Sequence, residues 1–232
     1  TQGSRGAVSV FEDFETRYGI NTSTTITTYV PGTGAHNLGK ATFFSDDEGT
    51  IGYTVDEANG VVALTSDVGD DDSVWLRFES VVLPSVNGPA VVESRFKFDS
   101  ATLSCIWAGF TETMALDTPV VPCELATATM TYNGTGQMVG FVLDPDATDP
   151  DDFRAVSGND AAVAGTNLGT SAALVALGVR AFETITADEW YIARTEIDAS
   201  GRSESWLGHK GRGLDQIVRL SGLATANALF AV

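Results

Sequence analysis

The sequence predicts an all-β chain, with antiparallel strands in two stacked sheets around one dry core. Short runs alternate apolar and polar residues with the period of two that belongs to strands. Clusters of Gly, Asn, Asp and Pro break these runs at short intervals. No segment has the spacing of a convincing amphipathic helix; Ser171–Leu177 offers about one or two turns at most.

Taken in order, residues 1–9 are small and polar and read as a flexible arm. Residues 10–232 read as a single sandwich domain. Val10–Glu15 is a first strand, with Val10, Glu12 and Phe14 opposed to Phe11 and Asp13. Residues 19–49, rich in Thr, Gly, Asn and Asp, read as a long loop with a short strand at Thr25–Val30. Ile51–Val55 and Gly60–Thr65 flank a segment whose Asn59-Gly60 dipeptide predicts a hairpin turn. Ser73–Phe78 sets Val74, Leu76 and Phe78 against Trp75 and Arg77. Ala90–Phe98 is the clearest strand: Ala90, Val92, Ser94, Phe96 and Phe98 on one side, Glu93, Arg95 and Lys97 on the other. Leu103–Thr111 and Gln137–Asp144 are more continuously apolar, as expected of strands covered on both faces.

Ala181–Thr184 is a further short strand. Beyond it, Tyr191, Ala193, Thr195 and Ile197 fall on one face, and Arg194, Glu196 and Asp198 on the other. Asp198-Ala199-Ser200-Gly201 supplies a turn, with Gly201 free to take positive φ, and a partner strand follows through Trp206 and Leu207. Gln216–Leu220 and Ala228–Val232 bring the strands to around ten to twelve. There is no internal repeat, heptad or low-complexity linker, so the pattern argues for one sandwich, not two domains.

Composition agrees. The 232 residues are 43% hydrophobic, enough for a sizeable core, and 19% charged, too few for a disordered polyelectrolyte. Gly, Thr and Val recur, which favours strands and turns. The formal net charge is −18. Its simplest consequence is solubility; it also repels nucleic-acid phosphates and anionic lipid head groups and attracts cations. No apolar run approaches the roughly 20 residues that span a bilayer. The residues at Thr1 do not read as a signal peptide, and a start without Met suggests a processed or trimmed chain. Cys105 and Cys123 belong to no Cys-x-x-Cys pair, which argues against zinc; a disulfide between them is compatible with the sequence but not required.

The strand and turn series resembles the concanavalin A-like (lectin/glucanase, laminin-G-like) jelly-roll family. The carrying residues are Phe11-Glu12-Asp13-Phe14, Gly60-Val61-Val62-Ala63-Leu64-Thr65, Val92–Phe98, and Glu189-Trp190-Tyr191 leading into Glu196–Gly201. More narrowly, it is similar to domains of tailed-bacteriophage structural proteins, including capsid decoration (cement) proteins. The resemblance implies an antiparallel jelly roll. It also implies a final strand pairing beside the first, a place that Ala228–Val232 would fill unless a last strand is missing.

The glucanase branch of that family carries Glu-x-Asp-x-x-Glu on one strand face, because glycoside hydrolysis needs two carboxylates. Glu196-Ile197-Asp198 begins the pattern, but position 201 is Gly, so the acid lacks its partner and two solvated acids feeding a turn is the better reading. His209 lies in Gly208-His209-Lys210-Gly211-Arg212-Gly213, an expected exposed loop whose cations disfavour a metal; His36 is also in Gly-rich surroundings. There is no Gly-x-Ser-x-Gly elbow, and Gly32-Thr33-Gly34 lacks the context of a phosphate loop. Acidic clusters at Asp46-Asp47-Glu48 and Asp70-Asp71-Asp72, and the Asp-Pro repeats from Asp144 to Asp152, read first as solvated turns. If Ca2+ binds, the ligands expected are Asp144, Asp146, Asp149 and Asp151. Trp75, Trp107 and Trp190 read as core or interface material, and Trp206 is the one aromatic singled out as a ligand contact.

The functional expectation is a non-enzymatic virion protein. The resemblance implies docking on the outer surface of a major capsid protein or other virion proteins, as a homo-oligomer, with no cofactor and no nucleic-acid or membrane contact. The alternatives are a carbohydrate-binding adhesion module, extracellular and using Trp206 or the acidic loops, and third a glycoside hydrolase centred on Glu196.

Overall fold

The computed structural model describes residues 36–37, 41–45, 50–53, 61–66, 74–78, 81–82, 89–100, 105–112, 122–126, 129–132, 137–147, 153–159, 186–200, 202–209, 215–220 and 229–231. All the regular structure among them is β, with no helix, and every pairing in register is antiparallel. The arm 1–9, Val10–Glu15, Thr25–Val30, Ser171–Leu177, Ala181–Thr184, Gly201, Asp149 and Asp151 lie outside the described residues.

Two compact units are distinguished. The first comprises residues 1–81, 114–120 and 232. Its described strands are β1 (His36–Asn37), β2 (Ala41–Ser45), β3 (Thr50–Tyr53), β4 (Val62–Thr65) and β5 (Val74–Phe78). β1, β2 and β5 form a three-stranded sheet in that order, and β3 pairs with β4. The expectation of a long loop over 19–49 is corrected here. Ala41-Thr42-Phe43-Phe44-Ser45 is a strand whose Ala41 and Phe43 are fully buried. Turn formers on both sides concealed a short run of good strand residues. β3 and β4 pair antiparallel, Tyr53 against Val62, as expected of strands flanking Asp56–Gly60; residues 54–60, the turn among them, lie outside the described residues.

The second unit comprises residues 82–113 and 121–231. Its strands are β7 (Ala90–Phe96), β8 (Ile106–Thr111), β9 (Cys123–Ala126), β10 (Thr129–Tyr132), β11 (Gln137–Leu143), β12 (Arg154–Asn159), β13 (Tyr191–Ile197), β14 (Ser203–His209), β15 (Asp215–Leu220) and β16 (Leu229–Ala231). The strand order of one sheet is β12-β11-β8-β16, with β6 (Val81–Val82) at the end of the row. The other is β15-β14-β13-β7, and β9 with β10 forms a separate hairpin. β9, β10 and β12 were not foreseen. Cys123-Glu124-Leu125-Ala126 and Arg154-Ala155-Val156-Ser157-Gly158-Asn159 lack clean alternation, so only pairing defines them. His209 was expected in a loop; it ends β14, paired with Tyr191.

The strongest sequence signals reappear as burial. Along β13, Tyr191, Ala193, Thr195 and Ile197 are buried, while Ile192, Arg194 and Glu196 are half-buried. In β7, Ala90 and Val92 are buried and Val91, Glu93 and Arg95 exposed. Every residue of β11 is buried, as a strand covered on both faces must be. Side chains of both sheets meet in one cluster: Ala108, Phe141, Leu143 and Ala155 from one, Tyr191, Ala193 and Leu207 from the other, with Phe98 and Phe153. Burying each large apolar side chain there is worth roughly 1.5–3 kcal/mol. Rings of Phe98 and Tyr191 stack with centroids 5.7 Å apart, and Phe96 meets Phe153 edge-on at 5.6 Å.

β8 and β11 also place Gly109 directly opposite Gly140. A Cβ on Gly140 would lie 3.0 Å from Cζ2 of Trp107 and 2.8 Å from the Gly109 Cα. The paired glycines thus leave room for the Trp107 ring on the sheet.

Candidate functional site

The outward face of the β15-β14-β13-β7 sheet concentrates the polar and aromatic side chains that sequence reading singled out. Register builds it in rows. Arg95 opposes Ile192, which opposes Gly208. Glu93 opposes Arg194, which opposes Trp206. Glu196 opposes Glu204.

Arg194 is the hub. Its Nη1 donates to Glu93 Oε2 at 3.0 Å, and its Nε donates to Glu196 Oε1 at 2.8 Å, with Nη2 reaching the same oxygen. The Glu196 hydrogen bonds, opposed by partial desolvation and aided by Glu93, raise the Arg194 guanidinium above its ordinary value. Its guanidinium carbon sits 5.9 Å from the centre of the Trp206 ring. One step along the sheet, Arg95 lies 4.3 Å from the centre of the Trp190 ring and the Lys97 ammonium 5.5 Å from it. Each tryptophan is therefore held against a cation, contacts worth roughly 0.5–1 kcal/mol at exposed sites.

Trp206 is half-buried, as the alternation of its strand requires. A bulge between Ser205 and Trp206 shifts the register against β15, so that Trp206 opposes Gln216; bulges of this kind re-aim a side chain. The Trp190 contact with Arg95 and Lys97 was missed, because it depends on β13 pairing with β7 across the sequence gap between them. As a large aromatic, Trp190 reads from sequence only as core or interface material.

The carboxylates weighed as catalysts are engaged in the scaffold. Glu196 accepts from Arg194. Asp198 Oδ1 accepts from Ser200 N at 2.8 Å, from Ser200 Oγ at 2.6 Å and from Arg202 N at 3.0 Å. The Ser200 hydroxyl bond first, then the Arg202 amide, hold the Asp198 carboxyl below its ordinary value.

Asp144 and Asp146, the calcium candidates within the described residues, form a turn. Asp144 is buried, its Oδ1 accepts from the Asp146 amide at 3.0 Å, and its carbonyl accepts from Ala147 N at 3.2 Å. Among the described residues no cluster of three or more His, Cys, Asp or Glu side chains is arranged to hold a metal. Cys105 is exposed, Cys123 is buried, and no disulfide joins them.

On the inward side of the same sheet, Thr195 opposes Ser205 and Ile197 opposes Ser203. The three hydroxyls are fully buried, and their oxygens make no hydrogen bond among the described residues. No family model, no curated protein and no solved structure matches the chain.

Proposed function

We propose that the chain is a non-enzymatic structural protein of a bacteriophage virion: a jelly-roll sandwich of the concanavalin A-like kind that decorates the outer surface of the major capsid protein. The fold part of this reading is supported by connectivity. β7 pairs with the distant β13, and β8 with the distant β11 and β16, so the chain passes repeatedly between two sheets whose side chains share a core. Greek-key sandwiches are wired this way. The Tyr191 hydroxyl bonded to the backbone of Thr186, a few residues upstream, is a closure that recurs in Greek-key sandwiches. β16 enters beside β8; the first strand, beside which the resemblance implies that the last one pairs, lies outside the described residues.

The observation that carries the functional part is the use made of the charged side chains. On the most regular face, Arg194 is tied to Glu93 and Glu196, and Asp198 is tied into its turn. Groups engaged in this way serve rigidity and surface character, not proton transfer, which needs a positioned acid and base. The net charge of −18 fits an outer surface better than a lining against packaged DNA.

The direct test is mass spectrometry and electron cryomicroscopy of purified particles. The chain is expected in the particle, as density on the outer capsid surface. Its absence, or density against the genome, contradicts the reading.

A second reading is favoured by one observation, the half-exposed Trp206 on an outward sheet face: an extracellular glycan-binding module. Saturable binding on a glycan array, abolished by Trp206→Ala, supports that reading in place of decoration. A hydrolase requires reducing-sugar release that depends on Glu196.

A further inference from the structure

We propose that the outward face of the β15-β14-β13-β7 sheet is a self-docking surface. Two copies of the chain meet there about a two-fold axis that lies in the contact plane and runs across the strands. The inference goes beyond virion placement and stands or falls independently of it.

Charge distribution is the first argument. Residues 89–100 and 189–220, which hold the four strands of this sheet, contain seven Lys or Arg and seven Asp or Glu. The whole excess of −18 therefore falls on the rest of the chain. Two copies approaching through a surface that carries this excess bring like charge together, which opposes association. The segments of this sheet carry no such excess.

Polarity along the strands is the second. At one end of the face stand the cations Arg95 and Lys97, both exposed, beside Trp190. At the other end stand Glu196, Asp198 and Glu204, three acids against the two cations Arg202 and Arg219, the latter opposing Glu204 in register. Arg194 and Glu93 neutralise each other midway. A two-fold axis across the strands reverses strand direction in the second copy. It lays Arg95 and Lys97 of each copy toward Glu196 and Glu204 of the other. The surface is thus complementary to itself, the requirement of an isologous interface.

Its apolar content is the third. Val91 is 49% exposed, one of two large hydrophobic residues so exposed among the described residues. It shares the outward side of the sheet with Ile192, Trp190 and Trp206. Aromatic and Arg side chains together are the composition of interface centres.

Sedimentation velocity and light scattering over about 1–100 µM test the proposal on the chain as it is. The wild type is expected to form dimers that weaken with added salt. The variant Arg95→Glu/Lys97→Glu, and separately Glu204→Lys, are each expected to weaken self-association at least about tenfold. An equimolar mixture of the two is expected to recover dimers, because both contacts are again of opposite sign. A wild type monomeric throughout overturns the proposal. So does dimerisation indifferent to the reversals, or a mixture that fails to recover while circular dichroism shows both variants intact. If a variant loses its β spectrum, the salt titration of the wild type decides, and a salt-insensitive dimer overturns the proposal.

Discussion

The Tyr191 hydroxyl closes on the backbone of Thr186: it accepts from the Thr186 amide at 2.7 Å and donates to the Thr186 carbonyl at 3.3 Å. Between them, Asp188 takes φ 62° and its amide donates to the Phe98 carbonyl at 2.8 Å. The chain thus enters β13 through a turn tied at both ends, and the Tyr191 ring goes on into the aromatic cluster.

Replacing Tyr191 with Phe keeps the ring and removes the tie. The expected loss is about 1 kcal/mol in urea unfolding. Burial lifts the Tyr191 phenol above its ordinary 10.0; the Thr186 backbone bond opposes the rise and the Glu189 carboxylate adds to it. The folded state therefore holds this proton more tightly than the unfolded one. That stability is complete below pH 10.0 and is lost as pH rises through the folded value. Tyr191→Phe should flatten this part of the alkaline decline; an unchanged decline contradicts the assignment.

Gly140→Ala tests the glycine pair. Its methyl group would lie 2.5 Å from the Ala108 carbonyl oxygen as well as against Trp107. Overpacking of this kind costs roughly 1–3 kcal/mol, and for a chain of this size each kcal/mol lowers the melting temperature by about 2–4 °C. A melting temperature equal to the wild type's contradicts the close approach of β8 and β11.

The buried hydroxyl row predicts a gain. Thr195 is fully buried with its oxygen unsatisfied, among Val92 and Ile197. Thr195→Val keeps the branched shape and removes the desolvated hydroxyl, so stability should rise by about 1 kcal/mol or more. A loss of that size in denaturant titration shows the hydroxyl to be satisfied.

Asp198 organises the turn between β13 and β14. Its folded pKa is depressed, so its contribution is present above the unfolded value, near 3.8, and is lost as pH falls through the folded one. Asp198→Asn keeps an accepting oxygen but cannot titrate. Below about pH 4 the variant should show a shallower acid decline than the wild type. Parallel acid profiles contradict this role.

Strand identity was legible where burial is one-sided or complete. Alternation in β7 and β13 marked both faces of one sheet, and apolar continuity marked β8 and β11. It failed at β2, β9, β10 and β12, short mixed runs that only pairing defines as strands: β2 with the more distant β5, β9 and β10 with each other, and β12 with the preceding β11. Trp206 was legible because its own strand aims it outward. The Arg194 hub and the Trp190 stack were not, since both arise from β7 lying beside β13, a neighbour nearly a hundred residues away in the chain. Local patterns set which side of a strand is apolar; register between remote strands decides which charges meet.

Everything rests on β11 and β13 lying across one shared core. Native-state amide hydrogen exchange measures this directly. Amides of β8, β11 and β13 should be the slowest in the protein and should open together, with a common free energy close to that of global unfolding. Rapid exchange in either β11 or β13, or separate opening free energies for their two sheets, contradicts a common core.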